Sequence, residues 1–279
     1  VLAGAPAPAV PAAKAHGKAK AKGKAKAKAK SKAKRSTSAP PGGDPKLLDD
    51  PNSGQLQSVA ASFLMRVFYA ARYARFDLLR AVARLASYVA FWDRECDKRM
   101  IKLFGYIKES AKYKQFGWVG DSPTEVAPFT YSDADFAGCS RTLRSTSGIQ
   151  LNIEGPKTCF PITARSLRQP LVAYSTPEAE VVALNLAART LTLPAIDLWE
   201  VLLPPGFWSR FLEDNQATIQ ILKTGRNPTL RYLGRSQGIC IQQLYELITV
   251  YAARNRIELS YLDTELMVAD IHTKAFTAK

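Results

Sequence analysis

The first 56 residues contain no aromatic side chain and few large aliphatics, and their centre is the run KAKAKGKAKAKAKSKAKR. Such a stretch cannot bury enough apolar surface to offset the entropy of ordering it, and lysine at alternate positions would set like charges all round a helix. Residues 1–56 are therefore read as a disordered Lys/Ala/Pro-rich tail. Whatever core the 279-residue chain builds must come from Leu56 onward.

The formal charge of +15 follows the same partition. Ten lysines, one arginine and no acid lie between Lys14 and Arg35, so everything downstream is only mildly basic. A polyanion that neutralises Lys18, Lys20, Lys22, Lys24, Lys26 and Lys28 releases counterions, which makes binding steeply salt-dependent and blind to sequence. Nucleic acid is the expected partner, and a nuclear import signal is a second use of the same charge. Hydrophobic residues at 47% suffice for one large or two small domains. Cys96, Cys139, Cys159 and Cys240 form neither a disulfide framework nor a zinc pair. No uncharged run reaches the roughly 18 apolar residues of a membrane span. The opening VLAGAPAPAV lacks the basic start of a secretory signal, so a nuclear or cytoplasmic fragment of a longer reading frame is expected, with no membrane partner.

From Leu56 the pattern turns helical. LQSVAASFLMRVFYAARYA is one segment; LLRAVARLASYVAFW follows an Asp77 placed to cap it. DRECDKRMIKLFGYIKES is the third, with Met100, Ile101, Phe104 and Ile107 at helical spacing. Residues 57–118 are thus expected to form a small three-helix unit. Its exposed faces would carry Arg66, Arg72, Arg75, Arg80, Arg84, Lys98, Arg99 and Lys102, either tracking a phosphate backbone or simply solvated.

Beyond residue 124 the period changes to that of strands in PFTYSDADFAG, TSGIQLNIEG and KTCFPITARS. STPEAE opens a helix reaching about Leu193, with either Thr176 as N-cap and Pro177 first, or Ser175 and Glu178 as a capping box. A strand at FWSRFL, a helix NQATIQILKTG ending at Gly225, a longer helix near RSQGICIQQLYELITVYAA and a strand IELSYL complete an α/β layer fold over residues 124–279.

Four carboxylates sit awkwardly in this pattern. On a pleated strand Phe129, Tyr131, Asp133 and Asp135 share one face. Glu180 lies on the helical stripe of Ala183, Leu184, Ala187 and Leu191, which faces the core. Asp214 falls where a strand gives way to a helix, and Asp270 lies in VADIHTK. Each has an ordinary reading singly: a strand running into a turn, a charge complementing a helix dipole, an Asp cap. Jointly they are placed to converge at one end of the sheet. Clustered carboxylates repel, so either their pKa values rise or a divalent cation neutralises them. Oxygen-only donors select Mg²⁺, with Mn²⁺ as substitute, over zinc. Two such ions about 3.5 to 4 Å apart would clamp the attacking and leaving oxygens of a phosphodiester displacement.

YSDADFAG, RSTSG, STPEAE, EDNQATI and VADIHTKAF, in this order and at these separations, resemble the ribonuclease H domain of copia-type LTR-retrotransposon polyproteins. The resemblance covers roughly residues 128–276, and residues 58–109 look like the segment joining the reverse-transcriptase domain to that nuclease. It implies a ribonuclease H-like mixed five-stranded sheet flanked by helices, behind the three-helix unit and the basic tail. It also implies that Asp133, Glu180, Asp214 and Asp270 form a four-acid site for two Mg²⁺ ions that hydrolyses the RNA strand of RNA/DNA hybrids, inside virus-like particles in an active element. Asp135 and Glu178 are not carried over; Asp135 is expected in a salt or solvent contact.

Arg141 and Arg144, with the basic helical face, are expected to hold the hybrid's phosphates. His272, the only histidine after the tail, is a candidate proton shuttle. Three features depart from the family. Gln237 in GRSQGICI stands where related sequences often carry His, Cys139 occupies a turn where a polar residue would oxidise less, and no Y-x-D-D block exists. An upstream reverse-transcriptase palm is therefore expected but is not in this chain. The alternative is a catalytically decayed or domesticated remnant that binds nucleic acid chiefly through the lysine tail.

Overall fold

The structure is a computed structural model that describes residues 53–274. The expectations for Lys18, Lys20, Lys22, Lys24, Lys26 and Lys28, and for disorder over residues 1–52, lie outside the described residues; residues 53–56, expected in the disordered tail, are instead structured, since Ser53 bridges to Asp93 and the Leu56 N–H donates to Asp97 at 3.1 Å. Strand β1 (Ala127–Asp135) is the middle of a five-stranded sheet. It pairs antiparallel with β2 (Thr146–Gly155), which pairs antiparallel with β3 (Thr158–Arg168). On its other edge it runs parallel to β4 (Ser209–Glu213), which runs parallel to β5 (Ile257–Tyr261). The order β3-β2-β1-β4-β5 makes a mixed sheet flanked by helices, an α/β architecture. The three expected strands after residue 124 all form where apolar and polar residues alternate between turn residues, although β2 is buried on both faces from Thr146 to Ile153.

Helix α4 (Thr176–Ala187) lies across β1 and β2 and is buried almost all round, from Ala179 to Ala187. Its N-cap is Ser175, whose Oγ accepts from the Glu178 N–H at 3.3 Å, so Thr176 is already helical. Glu178 does not close the capping box on Ser175; its carboxylate reaches one residue further, to the Tyr174 N–H at 2.7 Å, and to the Tyr232 hydroxyl at 2.6 Å. The helix also does not stop at Pro194. A π-helical turn, Ala188–Thr192, leads into α5 (Leu193–Leu202), and the helix runs on through Pro194 by way of this widened turn. Thr176–Leu202 is the one helical run among the described residues long and apolar enough to cross a membrane, and over half of its most apolar window is buried in the core.

That core joins Ile149 and Leu151 of β2, Val181 and Leu184 of α4, and Phe211 of β4 to Leu222 of α6 (Gln216–Thr224). Asn215 caps α6 by accepting from the Thr218 N–H at 3.0 Å, and Gly225 ends it in the left-handed conformation at φ +66°. The expected long helix after Arg235 is broken. It becomes α7 (Leu233–Ser236), a left-handed Gly238 at φ +66°, α8 (Ile241–Tyr245), a π-helical turn and α9 (Ala252–Asn255).

The helical unit forms from α1 (Gln57–Ala74), α2 (Leu79–Ala86) and α3 (Arg94–Glu109). Ala60, Leu64, Val82, Leu85, Met100 and Leu103 bury one stripe of each, and Cys139 and Ala164 from the sheet side complete the same cluster. The unit is thus continuous with the sheet layer through α2 and β3. Two details differ from expectation. Asp77 caps nothing, because Arg75 at 2.7 Å and the Tyr106 hydroxyl at 2.9 Å take its carboxylate; α3 is the capped helix, through Asp93. Ile101 is 62% exposed, since Met100 and Leu103 already fill the stripe that faces α2.

Candidate metal centre

Parallel pairing of β1 with β4 sets Tyr131 beside Leu212. Two residues on, the same pleat carries Asp133, still within β1, and Asp214, just past the end of β4, on one face, while Ser132 and Glu213 point to the other. Glu180 comes from the second turn of α4. Asp133, Glu180 and Asp214 each offer one carboxylate oxygen, and these oxygens all lie within 4.8 Å of one another. Asp133 is 4% and Glu180 3% exposed, whereas Asp214 is half-buried and accepts from the Thr264 hydroxyl at 2.8 Å.

Burial raises the Asp133 carboxyl to about 6; the Thr273 hydroxyl opposes the shift, and Asp270 adds to it. Glu180 rises further, first through burial and then through the fields of Glu213, Asp133 and Asp214. Its Oε2 is buried without a hydrogen-bond partner among the described residues. Close carboxylate oxygens with one atom left open match the oxygen donors that a hard divalent cation takes. The cluster therefore has the donors to bind a metal ion.

Asp270 is brought beside this trio but not into it. Lys274 forms an ion pair with its Oδ2, while Oδ1 is buried and unpartnered. The short turn that carries both, Val268–His272 and the two residues after it, folds back onto β2 opposite Asp133. Gly148 makes this possible, because a Cβ there would stand 2.6 Å from Thr273 and 2.8 Å from the Ala269 carbonyl. Arg80 then fastens the turn by donating to the Thr273 carbonyl at 2.7 Å and to Asp135 at 2.9 Å. Asp135 thus makes the expected salt contact, and it also accepts from the Thr146 N–H.

Glu213, absent from the expected site, is fully buried behind Glu180. Its carboxyl is driven well above the usual range, with burial first and Asp214 and Asp133 adding, although the Ser132 hydroxyl donates to it at 2.9 Å. The signal for it was strand parity: Glu213 shares a face with Phe211, the largest wholly buried side chain of β4.

Several other expectations are corrected. His272 does not touch the acids: its Nε2 meets the Gln150 amide oxygen at 2.8 Å, its ring packs edge-on to Phe76, and burial lowers it to about 4. A neutral ring wedged in the core is no shuttle for this site. Arg141 is exposed, pairs with Asp93 and stacks on Tyr88 at 4.7 Å, so a phosphate would have to displace that surface pair to reach it. Arg144 is half-buried with no ion pair among the described residues. Arg75 and Arg80 are spent internally, on Asp77 and Asp135. Cys139 meets the Tyr88 hydroxyl at 3.1 Å, and against its burial the bonds from Thr142 and Tyr88 pull its thiol down to about 6. Gln237 ends α7, half-buried, with no contact to the acids among the described residues.

No family model matches the chain, and no curated protein matches it.

Proposed function

We propose that this chain is a metal-dependent endonuclease of ribonuclease H type that hydrolyses the RNA strand of RNA/DNA hybrids, as part of a copia-type retrotransposon polyprotein. One observation carries the reading: three carboxylates far apart in sequence, Asp133, Glu180 and Asp214, meet within 4.8 Å at the end of a mixed five-stranded sheet. Asp133, Glu180 and Asp214 would hold Mg²⁺, with Asp270 as the fourth acid once it leaves Lys274. When bound, Mg²⁺ supplies charge stabilisation on the phosphoryl oxygens and a water of lowered pKa.

The remaining work falls to the protein. Burial of Asp133 and Glu180 keeps competing water away from their oxygens. The Thr273 hydroxyl fixes the orientation of Asp133, and Arg80 holds Thr273 in place through its carbonyl. Lys274 offers a cation beside the acids for a phosphate that approaches them. The test is cleavage of a labelled hybrid against matched duplex RNA and duplex DNA, with Mg²⁺ and with chelator. The expected result is cleavage of the hybrid's RNA strand with Mg²⁺ alone, lost in Asp133→Asn and Asp214→Asn. Activity surviving in both variants would falsify the assignment.

The decayed-remnant reading has one observation in its favour: Thr273 and Lys274 already satisfy two of the four acids. Under it, deleting residues 1–43 abolishes most salt-sensitive binding and there is no cleavage to lose.

A further inference from the structure

A groove of about 820 Å³ runs between α2, α3 and the C-terminal turn. Arg80, Arg84, Arg99, Lys102 and Lys274 line it, and its one acid, Asp77, is already taken by Arg75 and Tyr106. Lys102 is exposed and makes no ion pair among the described residues. Arg84 makes no ion pair among the described residues; it donates to the Gly138 carbonyl at 3.4 Å and feels the charge of Asp135. Arg99 faces Glu95 in a solvent-exposed pair that a phosphate can displace. The floor is apolar, with Leu78, Leu85 and Leu103, and the Tyr106 ring stands 41% exposed beside it. One end of the groove is Lys274, whose ammonium sits on Asp270 next to the carboxylate trio.

Cations along the walls and an aromatic ring at the floor are the two parts of a single-strand site: phosphates take the first, an unstacked base the second. The volume falls in the range of pockets for small ligands, which admits a short run of nucleotides. An acidic peptide would use the cations but leave Tyr106 and the leucines without a matching partner.

We propose that this groove binds single-stranded nucleic acid, namely the unpaired extension of a strand whose paired portion lies over the carboxylates. The pairing partner in that statement rests on the proposed ribonuclease H activity; the groove's preference for an unpaired strand does not. Lys102, Arg99 and Arg84 contact successive phosphates, and Tyr106 with Leu103 receives a base. Lys274 hands the strand on to the acids.

The test measures binding of the full-length chain by fluorescence anisotropy, in chelator so that nothing is cut, across a salt series. Two RNA/DNA hybrids are compared, one blunt and one with a single-stranded extension at either end, matched for total phosphate number so that the lysine tail contributes equally. The extended probe is expected to bind about fivefold or more tighter, with stacking and phosphate contacts adding. Lys102→Glu with Arg99→Glu removes that advantage and lowers the slope of log K against log salt by about 0.7 for each phosphate that no longer meets a cation. Lys102→Arg preserves it. Both side chains are exposed, and an unchanged melting curve shows that the variants fold. Equal affinity for the two probes, or a preference that survives the double charge reversal, overturns the proposal. Wild-type cleavage with Mg²⁺ is scored separately. A preference without cleavage removes the nuclease and keeps the groove; cleavage without a preference does the reverse.

Discussion

Asp133→Asn should make the metal-free protein more stable while destroying the site. In the folded state the Asp133 carboxyl sits at about 6, against about 3.8 in an exposed chain. A raised carboxyl pKa means that the fold prefers the protonated form. Below pH 3.8 the group contributes nothing; between 3.8 and 6 the unfolded chain ionises first and stability falls; above 6 the full penalty is present. A difference of about two units at about 1.4 kcal/mol each gives about 3 kcal/mol, reduced to about 2 because the group is not wholly buried and Asn accepts a weaker bond from Thr273. For a domain of this size each kcal/mol moves the midpoint by about 2 to 4 °C. Thermal melts in chelator should therefore place Asp133→Asn about 4 to 8 °C above wild type at pH 8, with the gap closing by pH 4. Adding Mg²⁺ should raise the wild-type midpoint and leave the variant unmoved, since only a ligand that binds the native state stabilises it. A variant less stable than wild type at pH 8, or a gap that does not shrink on acidification, would refute the burial argument.

Glu213→Gln removes a second buried charge without changing shape, so its metal-free melting point at pH 8 should also rise, and the gain measured with Asp133→Asn should be less than additive because the two fields overlap. Arg80→Met should cost about 2 to 3 kcal/mol in urea denaturation, because it unpairs the half-buried Asp135 carboxylate and frees the Thr273 carbonyl together. Lys274→Met takes away the cation that competes for Asp270, so calorimetric Mg²⁺ affinity should increase, by a factor on the order of three to ten. An unchanged or weaker affinity would mean that Asp270 takes no part in holding the ion.

What could be read from the residues alone follows the range of the interactions. The strands were legible because period-two alternation is local, and α6 because Asn215 and Gly225 bracket an apolar run. Asp133, Glu180 and Asp214 were legible as charges at positions where a core face was due. Asp77 misled because the Tyr106 hydroxyl, 29 residues away, joins its near neighbour Arg75 on the carboxylate, and the pairing of Arg141 was out of sight because Asp93 belongs to another layer. His272 looked like chemistry only while Gln150, 122 residues upstream, was out of sight. The same limit hid the Thr273 hydroxyl on Asp133, a contact spanning 140 residues.

The turn that folds back across Gly148 has a consequence in time as well as space. Its residues leave the ribosome after every strand of the sheet, so a growing polypeptide owns three of the acids long before it can clasp them. Chains halted before Ala269 should therefore be inert toward a labelled hybrid in a cell-free synthesis reaction.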